Sequence, residues 1–279
     1  MILDGKLVAE QIKKQLKDTI GATNTSKPHL VIITVGDDPA SQIYVRNKKR
    51  ACDEVGIEVE HITFSADARP FMVRETICHK NFDPTVDGIM VQLPLPEGYD
   101  EREIIDTIYP EKDVDGLTTT NIGKLRSGQS CFQPCTARGI IDLLDYYGVE
   151  IDGKDVTILG RSNIVGKPLA DLMMARGATV TQCHSHTRDV SQHTYTADIV
   201  VSAIGQPKLL NRSYFCKGIV DTIIDVGINR DENGKLCGDI DFNEVEDLPK
   251  YITPVPGGVG PMTVAELLKN TVEAWKRNV

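Results

Sequence analysis

Residues 29 to 35, His29-Leu30-Val31-Ile32-Ile33-Thr34-Val35, form an unbroken run of mostly apolar side chains that stops at Gly36. A run of that length without polar alternation reads as a strand buried on both faces, and such a strand needs a helical layer on each side. The following residues supply those layers. Asp37-Asp38-Pro39 turns the chain, and the spacing predicts a helix over 41–55 that closes at Gly56. A strand over 57–64, a helix over 71–79, a strand over 86–93 closed by Pro94 and Pro96, and a helix over 101–108 come next. Strand and helix alternate three times, which predicts a parallel sheet with helices on both faces. Ahead of it, residues 1–16 read as a short strand and an amphipathic helix with Val8, Ile12 and Leu16 on one face.

From about Asn121 the pattern restarts. Thr136 reads as the N-cap of a helix reaching Tyr147 that bridges two domains. Asp155 to Leu159 is a strand, followed at once by Gly160-Arg161-Ser162-Asn163-Ile164-Val165-Gly166-Lys167-Pro168 and a helix to Arg176. Strands follow at 179–183, 198–203 and 222–226, so the second half has the look of a nucleotide-binding unit. A loop rich in proline and glycine, 254–262, then leads to a closing helix, with Thr263-Val264-Ala265-Glu266 in capping-box form.

Composition narrows the function. The chain has 279 residues, 41% of them hydrophobic and 25% charged, an ordinary globular balance. Its seven cysteines are odd in number and scattered, which predicts reduced thiols. A zinc site can be drawn from Cys131 and Cys135 with Cys183, His184 and His186, but the first pair lacks the C-x-x-C spacing and no second such pair exists, so no metal is expected. A net charge of -9 disfavours a nucleic-acid partner. No apolar run approaches the ~18 residues of a membrane span, and the start lacks the apolar core of a secretory signal. A cytoplasmic protein with no membrane partner is the expectation.

Open parallel sheets bind ligands beyond the carboxyl ends of their strands. Gly36-Asp37-Asp38, Gln92 and the turn leading to Tyr44 fall there, and Asp115 can approach the same rim. Wound as a helix, 41–55 places Arg46, Asn47, Lys49, Arg50, Asp53 and Glu54 on one face. Tyr44, Ala51, Cys52 and Val55 fall on the other, with Lys48 inside that apolar arc. Two readings compete for Lys48. In one its stem packs while the ammonium snorkels to water. In the other it lines a pocket and transfers protons beside the Tyr44 ring. Arg46, Lys48, Lys49 and Arg50 together either attract an anionic small molecule or form a solvated helix face.

In the second half, Gly160 and Gly166 depart from the GxGxxG fingerprint. They still allow close backbone approach and helix N-terminal amides for a phosphate, or simply a tight turn. NAD-binding folds carry an acid at the end of the next strand for the ribose hydroxyl. Here that position reads Cys183-His184-Ser185-His186-Thr187, with no carboxylate before Asp189. Arg161 is placed to meet a 2′-phosphate bidentately and Ser185 adds a hydroxyl, so NADP is expected rather than NAD. The 254–262 loop reads either as an interdomain turn or as backbone that approaches a ligand closely.

Five motifs in order carry a resemblance across the chain. They are Tyr44-x-x-x-Lys48, Val91-Gln92-Leu93-Pro94-Leu95-Pro96, Lys112-Asp113-Val114-Asp115-Gly116-Leu117, Gly160-Arg161-Ser162-x-x-Val165-Gly166-x-Pro168, and Pro254-Val255-Pro256-Gly257-Gly258-Val259-Gly260-Pro261-Met262-Thr263. With them the chain resembles the bifunctional methylenetetrahydrofolate dehydrogenase/methenyltetrahydrofolate cyclohydrolases.

The resemblance implies an α/β chain of two domains with a cleft between them. One is a parallel-sheet catalytic and folate domain of 1–120 plus 262–279, with the closing helix packed back on it. The other is a Rossmann-like NADP domain of 121–261. It also implies a homodimer and two reactions: oxidation of methylenetetrahydrofolate by NADP, then hydrolysis of the methenyl product to 10-formyltetrahydrofolate. Lys48 matches the family's proton-transfer lysine, Gln92 the residue that sets its protonation, Tyr44 the ring that stacks on folate, and Asp115 the carboxylate that anchors the pterin. Val91, Leu93, Pro254, Pro256, Gly257, Gly258, Gly260 and Pro261 match further substrate contacts. Gly160, Arg161, Ser162, Val165, Gly166, Ser185 and Ile228 match cofactor contacts. Ala137 stands where the family usually has proline, which is favoured but not required in a first helical turn. A monofunctional dehydrogenase, NAD-linked or not, and a non-catalytic nucleotide sensor are the alternatives.

Overall fold

The computed structural model describes residues 1–23 and 26–277. The chain forms two compact units, Met1–Ala9 with Pro134–Thr263 and Glu10–Gln133 with Val264–Val279.

Helix α1 (Gly5–Gly21) begins in one unit and ends in the other. The first-sheet unit then runs β1 (His29–Val35), α2 (Pro39–Val55), β2 (Glu58–Phe64), α3 (Pro70–Phe82), β3 (Gly88–Val91), α4 (Glu101–Ile105) and α5 (Thr119–Arg126). Its sheet has the order β2-β1-β3, all parallel, so the apolar run of β1 is the central strand. Alternate residues of that strand point to opposite faces. Val31, Ile33 and Val35 join Val73, Ile77, Ile89, Val91, Ile104 and Ile108 in one core. Thr34 lies on the opposite face, beside α2. α5 was not expected from sequence. It starts at Thr118, whose hydroxyl accepts from the Asn121 N–H.

The second-sheet unit holds α6 (Cys135–Tyr146), β4 (Asp155–Leu159), α7 (Gly166–Ala175), β5 (Thr179–Cys183), α8 (Val190–Thr194), β6 (Ile199–Ser202), β7 (Thr222–Asp225), β8 (Asn229–Arg230), β9 (Leu236–Cys237), α9 (Phe242–Val245) and β10 (Tyr251–Ile252). Its parallel sheet has the order β10-β7-β6-β4-β5, and β8 with β9 forms a separate antiparallel hairpin. Leu159, Val200, Ile223, Ile240 and Ile252 are among the residues of its buried core. The short N-terminal strand reduces to one parallel bridge, Ile2 to Ile252.

Three expectations need correction. Pro134, not Thr136, is the N-cap of α6, and the whole helix belongs to the second-sheet unit, so it does not bridge the two. The elements that cross are α1 and the closing helix α10 (Val259–Lys276). α10 starts before Thr263, because Pro261, lacking an N–H, fits a first helical turn where that donor has no partner. Thr263 therefore lies inside the helix, its Oγ1 bonding to Thr136 Oγ1 at 3.1 Å and to the Val259 carbonyl at 3.5 Å. Residues 1–9 and 262–263, expected in the first domain, fall in the second-sheet unit, and 121–133, expected to open the second domain, pack with the first sheet. The tie there is Asp113 Oδ2, which accepts from Asn121 Nδ2 at 2.8 Å.

Candidate active site

In the first-sheet unit, α2 is set by its ends. The Asp38 carboxylate accepts the Ser41 N–H at 2.7 Å, Pro39 occupies the first turn, and Gly56 at φ 93° closes the helix in the left-handed conformation. The buried stripe is Val45, Lys48, Ala51, Cys52 and Val55. Val45 belongs to it and was missing from the predicted arc. Lys48 is only 8% exposed, so little of its side chain reaches open water. Its Nζ instead donates to Gln92 Oε1 at 3.0 Å. Gln92 is held in turn: its backbone N–H donates to the Ile33 carbonyl at 2.9 Å and its Nε2 to the Leu93 carbonyl at 2.7 Å. With Nε2 committed, Oε1 faces the lysine. The pair thus stands at the carboxyl end of β3, flanked by buried Val91 and half-buried Leu93.

Tyr44, one turn before Lys48, is half-buried, and burial raises its phenol above the ordinary value. Asp115 is brought to the same end of the sheet by its neighbours. Ile89 pairs in parallel with Asp113, and the Ile89 N–H donates to the Lys112 carbonyl at 2.7 Å. Asp113 is 1% exposed and shapes the turn that follows. Its Oδ1 accepts the Gly116 and Leu117 N–H groups at 3.0 and 3.2 Å, and its Oδ2 the Thr118 N–H at 2.8 Å. Burial pushes the Asp113 carboxyl upward against those hydrogen bonds. Asn270 of α10 adds a bond from Nδ2 to the Val114 carbonyl at 2.9 Å. Asp115 itself is half-buried, and its carboxylate has no hydrogen-bond partner among the described residues. Sequence reasoning picked Asp115 and passed over Asp113, although an acid three residues before a glycine turn was the signal for a carboxylate that organises a loop.

A cavity of about 520 Å³ opens along the other flank of α2, where Thr34, Arg46, Lys49 and His61 line it together with Gln92. Lys48, Tyr44 and Asp115 do not line it; Gln92 is the link between the two sides of the helix.

In the second-sheet unit, Gly160 leaves β4 at φ 120°, and a side chain there would meet the Ala203 carbonyl at 2.4 Å. A Cβ on Gly166, the first residue of α7, would stand 2.2 Å from the Gly160 carbonyl. Both glycines are needed for backbone to pass backbone. Ser162 Oγ accepts from the Val165 and Gly166 N–H groups at 3.2 and 3.4 Å. Gln182, which sequence reading missed, anchors the loop from β5 by donating Nε2 to the Gly160 carbonyl at 3.1 Å. Since Leu159 pairs with Cys183 and the Gly160 N–H reaches the Cys183 carbonyl at 2.9 Å, Arg161 and Ser185 leave neighbouring strand ends, both exposed. Asp189 caps α8 through the Ser191 N–H instead of lying at that edge.

The 254–261 segment belongs to this second unit. The Gly258 N–H donates to the Pro254 carbonyl at 2.9 Å, and a Cβ on Gly258 would crowd that oxygen at 2.6 Å. The Lys6 N–H donates to the Gly257 carbonyl at 3.0 Å, while Pro256 is exposed and Pro261 half-buried. A Cβ on Gly260 would meet Ile228 Cδ1 at 3.6 Å, so one expected substrate contact and one expected cofactor contact are neighbours.

Known proteins match this arrangement. The profile of the tetrahydrofolate dehydrogenase/cyclohydrolase catalytic domain matches residues 3–115, and that of the family's NAD(P)-binding domain matches residues 134–279. The bifunctional protein FolD of Moorella thermoacetica is 48% identical over 278 residues, covering 99% of both chains. That of Methanoculleus marisnigri is 50% identical over 276 residues, covering 99% of this chain and 96% of its own. The crystal structure of the bifunctional FolD from Campylobacter jejuni superposes with a TM-score of 0.97 at 43% identity, covering 100% of this chain and 99% of that one. The Trypanosoma brucei methylenetetrahydrofolate dehydrogenase-cyclohydrolase, solved with NADP cofactor and inhibitor, gives 0.94 at 37% identity, covering 99% and 97%.

Proposed function

The chain belongs to the tetrahydrofolate dehydrogenase/cyclohydrolase family, and from that premise we propose how its residues divide the two reactions. The enzyme oxidises 5,10-methylenetetrahydrofolate to the methenyl cation with NADP and hydrolyses the cation to 10-formyltetrahydrofolate. When bound, NADP supplies the hydride acceptor.

The observation that carries the assignment of the site is buried Lys48, whose Nζ donates to Gln92 Oε1 at 3.0 Å. Lys48 is the proton-transfer group of hydrolysis: water adding to the methenyl carbon must lose a proton, and the neutral amine of Lys48 takes it, becoming the ammonium whose N–H groups Gln92 Oε1 accepts. Gln92, fixed by the Leu93 carbonyl, orients the lysine. Tyr44 offers a ring for the folate to stack on. Asp115, with its carboxylate unengaged by the described residues, takes the two parallel donors of the pterin. Val91, Leu93, Pro254, Pro256, Gly257, Gly258, Gly260 and Pro261 complete the folate contacts in this reading.

The second sheet fits a dinucleotide. Gly160 and Gly166 leave no room for side chains where the backbone meets a phosphate, and Val165 and Ser162 hold that turn. Arg161 and Ser185 take the 2′-phosphate, and Ile228 contacts the cofactor through its backbone. The same reading makes the protein a cytoplasmic homodimer that binds no nucleic acid, the last in keeping with its net charge of -9. No helix among the described residues is long and apolar enough to cross a membrane.

The test is to mix the protein with methylenetetrahydrofolate and NADP and follow the methenyl absorbance. The reading requires it to appear and then decay to the formyl product, with lower efficiency when NAD replaces NADP. No cofactor reduction, or a preference for NAD, contradicts it.

A further inference from the structure

Two buried carboxylates in the second-sheet unit have no part in the chemistry above. Asp239 is wholly buried and accepts five hydrogen bonds: from Ser202 Oγ at 2.9 Å, the Ile204, Gly205 and Gln206 N–H groups at 2.8, 3.0 and 3.0 Å, and Asn229 Nδ2 at 2.9 Å. Asp225, at the end of β7, accepts from the Gly227, Asp239 and Ile240 N–H groups at 2.9, 3.0 and 3.0 Å. The cluster tolerates no added atoms. A Cβ on Gly227 would stand 2.2 Å from Asp239 Oδ1, and one on Gly238 would stand 1.8 Å from Asp225 Oδ2.

The segments these acids hold are the ones the cofactor reading uses. Residues 204–206 follow directly on Ala203, whose carbonyl closes over Gly160. Three successive N–H groups there form a concavity of the kind that binds anions, and Asp239 fills it from within. Ile228 sits between Gly227, bonded to Asp225, and Asn229, bonded to Asp239. The Asp225 N–H also donates to Thr253 Oγ1 at 2.7 Å, at the threshold of the 254–261 loop.

We propose that Asp239, backed by Asp225, is a positioning residue for the dehydrogenase step, locking the loops after β6 and β7 into the conformation that receives NADP. The inference rests on the placement of the cofactor at Gly160, Arg161 and Ile228. Loosening these loops weakens cofactor binding and misplaces it for hydride transfer, while hydrolysis, which needs no cofactor, depends on Lys48 in the other unit.

The experiment measures, for Asp239→Asn and the milder Asn229→Ala, the NADP KM and kcat of oxidation, the cyclohydrolase rate on methenyltetrahydrofolate without cofactor, and the melting temperature. Arg161→Ala serves as the reference. The proposal expects the NADP KM to rise about tenfold in Asp239→Asn and by a smaller factor in Asn229→Ala. Cofactor-free hydrolysis should stay within about twofold in both. If Asp239→Asn does not fold, Asn229→Ala decides alone. An unchanged KM in folded variants, or both activities falling together in step with melting temperature, overturns the proposal and marks the acids as structural. If Arg161→Ala also leaves the NADP KM unchanged, the failure lies in the cofactor placement itself.

Discussion

The Nζ of Lys48 meets the Oε1 of Gln92 at 3.0 Å, joining the buried stripe of α2 to the residue that follows β3. A lysine ammonium has three donors and no acceptor, so for a buried lysine each neighbouring oxygen matters. Gln92 contributes one such oxygen, and its own amide is locked by the Leu93 carbonyl. The amide therefore cannot flip to present Nε2 to the lysine without losing that bond.

Gln92→Ala removes this oxygen and leaves a buried donor short of a partner. We expect a fall in cyclohydrolase kcat of about 10- to 100-fold and a smaller change in the oxidation step. Parallel assays of the two steps on the same preparation check it. Equal losses in both would mean that Gln92 only supports the fold.

Asp113→Ala leaves the buried Leu117 and Thr118 N–H groups without an acceptor, while Gly116 keeps the residue 113 carbonyl and the Asn121 amide keeps the Pro110 carbonyl. Each unsatisfied buried donor costs about 1–3 kcal/mol, so a stability loss of about 3 kcal/mol or more is expected in urea titration. The turn also presents Asp115, so the KM for methylenetetrahydrofolate should rise as well. Wild-type stability with an unchanged KM would show that the turn holds itself.

Asp225 supplies the pH dependence. Burial, with the Asp239 charge beside it, lifts its carboxyl to about 7 against three backbone N–H bonds. The unfolded carboxyl gives up its proton near pH 3.9, roughly the free value. Between those values the native state binds more protons, so this group's stabilisation is complete below about pH 4 and fades as pH rises to 7. The slope approaches about 1.4 kcal/mol per pH unit at most. Asp225→Asn cannot titrate at this position. Urea midpoints at pH 5 to 8 should therefore show the wild type losing stability relative to the variant up to about pH 7. A pH-independent difference between the two contradicts the shift.

What could be read from the residues was whatever depends on local pattern. The β1 run, the alternation of strands and helices, the Gly160 turn and the placement of Lys48 on the inner arc of α2 all follow from periodicity and side-chain size. Val45 was left out of that arc because a rotation assigned from an ideal helix carries an error of about one residue. The buried acids escaped for a different reason. Asp225 ends an apolar strand and Asp239 sits in what looks like an ordinary polar turn, and what makes these two burial-competent is backbone donors arriving from elsewhere, whereas Asp113 is held by the turn that follows it. Thr263 misled in the same way: the capping-box spelling is local, but the start of α10 is set by where Pro261 can be tolerated.

The most direct test of the account is Lys48→Met, which keeps the apolar stem of a side chain on the buried stripe and removes the ammonium. Measured on one preparation, hydrolysis of methenyltetrahydrofolate should fall to background, while NADP-dependent oxidation persists and stalls at the methenyl product. Undiminished hydrolysis in Lys48→Met would contradict the assignment of proton transfer to this residue.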